Sequence, residues 1–199
     1  MGRALLAIAP VLALLALASA TACTEETLIV AVVPAEDDAG HPISPPPRCL
    51  TNADCPSEAF CKKASCDAPA GACELFPATC EDTERAVCGC NRVTYFNDCL
   101  RRADGVAAST EGPCPFEGSL ECGGEANVKC PGGAYCGRLS GFGGCTFNDG
   151  RGRCWVLPLH CPAPTTSDRW MRCGPSERCV DTCTAVRDEG IYRRADRCP

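Results

Sequence analysis

Cysteine dominates this chain and occupies 21 of its 199 positions. So high a density is typical of small domains that are stabilised by disulfide bonds in an oxidising compartment, because their hydrophobic cores are small. Zinc binding is the other common use of many cysteines. It is disfavoured because the sequence has no Cys-x-x-Cys pair and its only histidines are His41 and His160. We therefore predict a small disulfide-rich fold with no metal and no cofactor.

The N-terminal residues predict export. The basic start Met1–Arg3 precedes an apolar run, Ala4–Ala18, which is too short to span a bilayer comfortably and indicates a signal peptide over residues 1–22. Ala20-Thr-Ala-Cys23 resembles the lipobox of bacterial lipoproteins, whose cysteine is lipidated and becomes the first mature residue. Setting Cys23 aside leaves 20 of the 21 cysteines, an even number for pairing. We expect a membrane-anchored lipoprotein of the cell envelope, with plain secretion as the alternative.

Residues 23–48 predict a tether between this terminus and the cysteine-rich part. They contain an acidic patch and the run Pro45-Pro-Pro47, which favour an extended and semi-rigid chain. From Cys23 onward the chain has 18 basic residues (19 less Arg3) and 25 acidic residues, a net charge of −7. No run of lysine or arginine forms a basic stripe, so we expect no nucleic-acid partner.

The cysteines after Arg48 divide into two sets of ten, which predicts a tandem duplication. Spacings agree at three places: Cys55-Pro-x-x-Ala-Phe-Cys61 with Cys130-Pro-x-x-Ala-Tyr-Cys136, Gly71-x-Cys73-x-x-x-Pro77-x-x-Cys80 with Gly152-x-Cys154-x-x-x-Pro158-x-x-Cys161, and the fourteen residues inside Cys99–Cys114 with those inside Cys183–Cys198. We predict two related cysteine-rich modules, residues 49–114 and 122–198, the second more diverged. Each has enough cysteines for five internal bridges.

The last part of the first module predicts one short helix packed on a small antiparallel sheet. Asn97-Asp98 is a helix N-cap signal, and the run Cys99–Ala103 suits a short helix that ends near Gly105. The segments Val93–Tyr95 and Val106–Ala108 are compatible with β-strands.

Residues 73–114 resemble a Kazal domain, the fold of a family of small secreted serine-protease inhibitors. The match rests on Val87-Cys88-Gly89, on Thr94-Tyr95-x-Asn97-x-Cys99 and on Gly112 shortly before Cys114. Seven residues separate Cys80 from Cys88, as in the reactive loop of that family. The resemblance covers 42 of the 199 residues.

The resemblance also implies a disulfide pattern, with bridges Cys80–Cys99 and Cys88–Cys114. The family has a fifth cysteine three residues after the fourth, where this chain has Arg102, and this chain has an additional Cys90. We therefore expect Cys90 to take over the partner of the missing cysteine and to form a Cys73–Cys90 bridge.

By the same resemblance, the segment between Cys80 and Cys88 is a protease-binding loop, which binds as a substrate does through main-chain hydrogen bonds. The implied contact residues are Glu81, Asp82, Thr83 and Glu84. Asp82 is the implied primary specificity residue. It disfavours trypsin-, chymotrypsin- and elastase-like targets, because an apolar pocket would bury an unpaired carboxylate and a trypsin-like pocket requires Lys or Arg.

Two further residues support this loop in the family. The resemblance implies that Asn97 bonds the main-chain carbonyls on either side of the scissile bond, and that Tyr95 packs beneath. In the second module the Thr-Tyr pair is absent and Asp181 stands at the position of Asn97. We expect no inhibition by that module.

The function predicted from the sequence is that of an exported Kazal-like serine-protease inhibitor whose partner is an extracellular serine protease. The alternative is a non-inhibitory structural, adhesive or protein-binding module that is stabilised by disulfides. An enzyme is disfavoured because no Ser-His-Asp context, phosphate-binding loop or pair of catalytic carboxylates can be assembled from the sequence.

Overall fold

A computed structural model describes residues 47–140, 145, 150–163, 169–174 and 178–195. The signal peptide, Cys23 and the tether up to residue 46 lie outside the described residues. Arg48, predicted as the end of the tether, instead pairs with Ala72 and belongs to the first strand. The helices of the described part are six residues long or shorter, and none of them has the length and apolar character needed to cross a membrane.

The first half (residues 47–114) contains two small antiparallel arrangements of strands. β1 (Arg48–Cys49), β2 (Ala59–Lys63) and β3 (Gly71–Leu75) form a separate sheet with β3 in the centre. β4 (Val87–Gly89) then lies between β5 (Thr94–Tyr95) and β6 (Ala108–Glu111), and helix α1 (Asp98–Ala103) connects β5 to β6.

The second half (residues 121–195) repeats this order of elements. β9 (Arg151–Val156) pairs with both β7 (Glu121–Gly123) and β8 (Tyr135–Ser140). β10 (Trp170–Arg172) then lies between β11 (Cys179–Val180) and β12 (Ile191–Arg194), and helix α2 (Thr182–Arg187) connects β11 to β12. Short 3-10 turns occur at Asn52–Asp54, Phe116–Gly118 and Pro131–Gly133.

The two halves share one sheet. β5 of the first half pairs in parallel with β9 of the second, and β12 pairs in parallel with β8. Within the described residues this gives a nine-stranded sheet with the order β11-β10-β12-β8-β9-β5-β4-β6, and β7 adds to β9. The predicted disulfide-rich fold with little helix is confirmed, and the small sheet around β4 is part of this larger one.

Helix α1 begins and ends as its sequence predicts. The Asn97 side chain accepts a hydrogen bond from the Leu100 backbone N–H at 3.0 Å, which satisfies one of the free donors of the first turn. The chain leaves the helix through Gly105, whose φ of +64° favours glycine. A Cβ atom at Gly105 would also lie 3.2 Å from atoms of Phe60 and Phe76, so both the conformation and the packing require glycine here.

Nine disulfide bonds join described cysteines. They are Cys49–Cys61, Cys55–Cys73, Cys66–Cys90, Cys80–Cys99, Cys88–Cys114, Cys122–Cys136, Cys130–Cys154, Cys145–Cys173 and Cys161–Cys183. Cys179 is also disulfide-bonded. None of the nine bridges crosses from one half to the other. So many disulfides are typical of a protein from an oxidising extracellular environment.

The predicted Cys73–Cys90 bridge is wrong. Cys73 lies in the separate β1–β3 sheet, where its Cα is 5.6 Å from that of Cys55, its bonded partner. Cys90 follows β4 and bonds to Cys66, with a Cα–Cα distance of 5.3 Å. Because a disulfide requires Cα atoms within about 7 Å of each other, the placement of Cys73 on another sheet decides its partner.

Ten of the buried residues form two small clusters to which both halves contribute. One contains Val93, Tyr95, Cys122, Cys136 and Cys154. The other contains Phe96, Trp155, Leu157, Cys183 and Val186. Four of these ten residues are disulfide-bonded cysteines, so covalent links and packing stabilise the same places. Each link of this kind restricts the unfolded chain and adds roughly 2–4 kcal/mol to the free energy of unfolding.

Candidate protease-binding loop

The loop between Cys80 and Cys88 is attached covalently at both ends. Cys80 is bonded to Cys99 in α1, and Cys88 is bonded to Cys114, which is completely buried. These are the two bridges that the Kazal resemblance implies. Residues 81–85 between them have no regular secondary structure, and all five are exposed. The loop is therefore presented to solvent while its ends are held by the fold.

Asn97 supports this loop from below. Its Nδ2 atom donates hydrogen bonds to the carbonyl oxygens of Glu81, at 2.7 Å, and Thr83, at 3.2 Å. These two carbonyls lie on either side of Asp82. The Oδ1 atom of the same side chain caps α1. Asn97 is only 2% exposed, so its amide acts away from solvent, where a neutral group with both a donor and an acceptor is needed.

The second part of the loop is bonded to the sheet. The Arg85 N–H donates to the Phe96 carbonyl at 3.0 Å, and the Gly112 N–H donates to the Ala86 carbonyl at 2.8 Å. Further along, the hydroxyl oxygen of the buried Thr94 accepts from the Cys114 N–H at 3.0 Å. Three residues of this short segment thus make hydrogen bonds that position the loop and its anchors, namely Thr94, Phe96 and Asn97.

The four side chains predicted as contact residues point away from the core. Glu81, Asp82, Thr83 and Glu84 are all exposed, and three of the four are acidic. Beside them is a groove of about 640 Å³, which is lined by Glu81, Arg85, Asn97 and Glu111 among others. The loop therefore presents a predominantly acidic surface with Asp82 at its centre.

Tyr95 is 1% exposed and packs in the cluster with Val93 and the cysteines of the second half. Its hydroxyl accepts a hydrogen bond from the Asn91 side-chain amide at 2.9 Å. Burial raises the pKa of Tyr95 to about 12. The loop residue Ala86 does not pack against this cluster but against the second one, which contains Phe96. Phe96 was not among the residues predicted to support the loop, although an apolar residue directly before Asn97 was a signal for it.

Arg102, which stands where Kazal domains have their fifth cysteine, forms an ion pair with Glu74. The Arg102 Nε atom lies 2.7 Å from a carboxylate oxygen of Glu74, the residue next to Cys73, and the Lys62 ammonium lies 2.6 Å from the other oxygen. Partial burial acts to raise the pKa of Glu74, but the two cations outweigh it and the pKa is lowered from its ordinary value. Helix α1, which carries Cys99, is thus connected to β3 by charge rather than by sulfur.

The equivalent position in the second half is different. Asp181 caps α2, since its Oδ1 accepts from the Thr184 N–H at 2.9 Å and its Oδ2 accepts from the Thr184 hydroxyl at 2.6 Å. An ionised carboxylate accepts hydrogen bonds and donates none. Asp181 therefore keeps the capping role of Asn97 and lacks the donor that bonds loop carbonyls.

Three groups of sulfur and carboxylate atoms lie close together in the described part of the chain. They are Cys49 with Cys55 and Cys73, Cys122 with Cys130 and Cys154, and Cys161 with Asp181 and Cys183. Every cysteine in these groups is bonded in a disulfide. Metal ions bind cysteine as the thiolate, so these groups do not offer a thiolate site.

No protein-family model matches the chain, and no curated protein sequence matches it.

Proposed function

We propose that this protein is an exported Kazal-like serine-protease inhibitor that binds its target through the loop 80–88. The observation that carries the proposal is the pair of hydrogen bonds from Asn97 to the carbonyls of Glu81 and Thr83. They connect the two sides of the bond after Asp82 to one buried side chain. If a protease cleaved that bond, the new ends would stay together and the reaction would be readily reversed.

A stiff loop is favourable for binding. Ordering a flexible loop on a protease costs roughly 0.5–1.5 kcal/mol for each immobilised side chain, in addition to the backbone entropy. The bridges Cys80–Cys99 and Cys88–Cys114 and the bond from Arg85 to Phe96 order this loop before binding. The affinity of a substrate-like segment is then not reduced by the cost of ordering it.

The acidic loop indicates the class of target. Asp82 is the central contact residue, so the primary pocket of the protease must bind a carboxylate and therefore contain a basic side chain. Glu81 and Glu84 extend the same charge along the cleft. The proposed target is a serine protease that cleaves after acidic residues.

We also propose that the two halves arose by duplication, giving cysteine-rich modules 49–114 and 122–198. Three pairs of bridges support this, since Cys49–Cys61, Cys55–Cys73 and Cys80–Cys99 have the same ordinal positions in their module as Cys122–Cys136, Cys130–Cys154 and Cys161–Cys183. We further propose that the protein is displayed at the cell envelope through a lipid on Cys23, or that it is secreted.

The test is a change of specificity in the full chain. Asp82→Lys places a basic residue at the loop centre, and we expect it to convert the protein into a stoichiometric trypsin inhibitor, as measured by active-site titration. The unchanged protein is expected to inhibit an acid-specific serine protease and not trypsin. Glu125→Lys is a matched control, because it makes the same charge change at an exposed position of the second half and should not create trypsin inhibition.

Two results would contradict the proposal. One is that trypsin hydrolyses the Asp82→Lys protein as an ordinary substrate, which would mean that the loop is not held in an inhibitory geometry. The other is the absence of inhibition by the unchanged protein across a panel that includes acid-specific enzymes. That second result would favour a structural or adhesive module.

A further inference from the structure

The strand that carries the loop support is itself held by the second half of the chain. β5 pairs with β9 in parallel, with Thr94 opposite Trp155 and Tyr95 opposite Val156. The pairing continues one residue beyond β5, where the Phe96 N–H donates to the Val156 carbonyl at 3.0 Å. β5 therefore lies between its own hairpin partner β4 and a strand of the other half.

The Phe96 side chain belongs to a buried cluster that is formed mostly by residues of the second half. It is completely buried, in a cluster whose other buried members are Trp155, Leu157, Cys183 and Val186. Two residues of the first half, Ala86 from the loop and Leu100 from α1, pack against the same cluster. The second half thus provides the apolar support under the end of the loop.

A continuous series of bonds leads from this support to the loop. The Phe96 N–H is bonded to Val156, and the Phe96 carbonyl accepts from the Arg85 N–H. The next residue, Asn97, donates to the carbonyls of Glu81 and Thr83. A shift of Phe96 would therefore move both the loop attachment at Arg85 and the side chain that holds the loop centre.

We infer that the second half acts as a brace that holds the protease-binding loop of the first half in its binding geometry. This rests on the proposed function, since the loop is taken as the protease contact. The second half has Asp181 at the position of Asn97, so it lacks the loop-supporting donor, while its strand β9 and its apolar residues support the other loop. Leu157 is a positioning residue that acts through Phe96.

The test uses the full chain and compares cavity-forming variants in two places. Leu157→Ala removes side-chain volume from the cluster that contains Phe96, and Val186→Ala does so from α2 in the same cluster. Phe60→Leu is the control, because Phe60 is equally buried but stacks on Phe76 next to the separate β1–β3 sheet, at a ring-centroid distance of 5.6 Å. The disulfides of both halves are retained in all three variants.

The readout is site-resolved hydrogen exchange, which needs no target protease. We expect exchange of the Arg85 amide to become about tenfold faster in Leu157→Ala and Val186→Ala, relative to the Phe76 amide, which donates to Glu58 in the first half. Leu157→Met conserves side-chain volume, so the Arg85 amide should exchange at the same rate in this variant as in the unchanged protein. In Phe60→Leu, the exchange rate of the Arg85 amide relative to that of the Phe76 amide should be unchanged or lower.

The inference is overturned if the two amides change by the same factor in the brace variants, or if the Arg85 amide does not change. In either case the second half would contribute general stability only. The same experiment separates this inference from the proposed function. Faster Arg85 exchange in a protein that inhibits no protease would support the brace and reject the inhibitor.

Discussion

Asn97 and Asp181 lie at equivalent positions of the two halves and differ in one side-chain atom, the nitrogen of the amide, which can donate hydrogen bonds. Both lie two residues before a cysteine of a short helix, and both cap that helix through a side-chain oxygen. The amide of Asn97 has an additional N–H group that reaches the carbonyls of Glu81 and Thr83. The carboxylate of Asp181 has none. The capability to support a loop therefore depends on a single NH₂ group.

The variant Asn97→Asp tests this in the first half. The cap acceptor is kept, so α1 should persist by circular dichroism, but two hydrogen bonds are lost and each contributes roughly 1 kcal/mol. In an Asp82→Lys background we expect trypsin to hydrolyse the loop at least about tenfold faster, measured by mass spectrometry, since 1.4 kcal/mol corresponds to a factor of ten.

The reciprocal change Asp181→Asn is the control for this prediction. It makes the opposite substitution on α2, outside the loop and its bonds, and should leave the hydrolysis of the 80–88 loop unchanged. Equal hydrolysis rates for Asn97→Asp and its parent would show that Asn97 does not hold the loop.

At the scale of elements, charge links α1 to the β1–β3 sheet. Arg102 of α1 and Lys62 of β2 both pair with Glu74 of β3. A disulfide at this place would be independent of pH, whereas the ion pairs depend on the ionisation of Glu74. The lowered pKa of Glu74 means that its contribution is fully present above the pKa of the unfolded chain and is lost as the pH falls through the folded pKa.

The variant Glu74→Gln measures this contribution. Pairs with partly exposed side chains are worth up to about 1 kcal/mol, so the free energy of unfolding should fall by that amount or less at neutral pH. At a pH below the folded pKa of Glu74, the variant and the parent should be equally stable. Denaturant unfolding at both pH values gives the comparison.

Glu111→Gln is the control for the acid dependence. Glu111 is exposed on β6, and no ion pair connects it to another described residue. Its substitution should leave the difference in stability between the two pH values as it is in the parent. A loss in Glu74→Gln that persists at acid pH would instead indicate a packing effect.

At the scale of the whole molecule, the disulfides are distributed unevenly between surface and core. Cys114, Cys122, Cys154 and Cys183 are at most 1% exposed, whereas Cys66 is exposed in the loop after β2. Reduction requires attack by a thiolate on an accessible sulfur. Exposure should therefore set the order in which the bridges open.

Limited reduction with trapping of free thiols checks this order. Among the five bridges of the first half we expect Cys66–Cys90 to open first and Cys88–Cys114 to open late, as read from labelled peptides by mass spectrometry. Joint early labelling of Cys73 and Cys90 would contradict the bridges described here, and would favour the pairing that the sequence resemblance implied.

The local features of this molecule could be predicted from its sequence. The cysteine density indicated a disulfide-rich fold, and the residues Asn97, Asp98 and Gly105 marked the start and end of α1. The bridges Cys80–Cys99 and Cys88–Cys114 were implied by the resemblance of residues 73–114 to a Kazal domain. The bounds of α1 depend on residues that are close in sequence, so capping and backbone preference were sufficient for them.

Only the tertiary structure decided the partner of Cys73, the ion pair of Arg102 and the position of Phe96 against the second half. Each depends on which side chains come to share a face after strands that are far apart in sequence have paired. The parallel pairing of β5 with β9 joins residues about sixty positions apart and has no local signal. The sequence indicated the loop, the two bridges at its ends and the supporting Asn97, whereas only the tertiary structure showed the contribution of the second half through β9 and the cluster around Phe96.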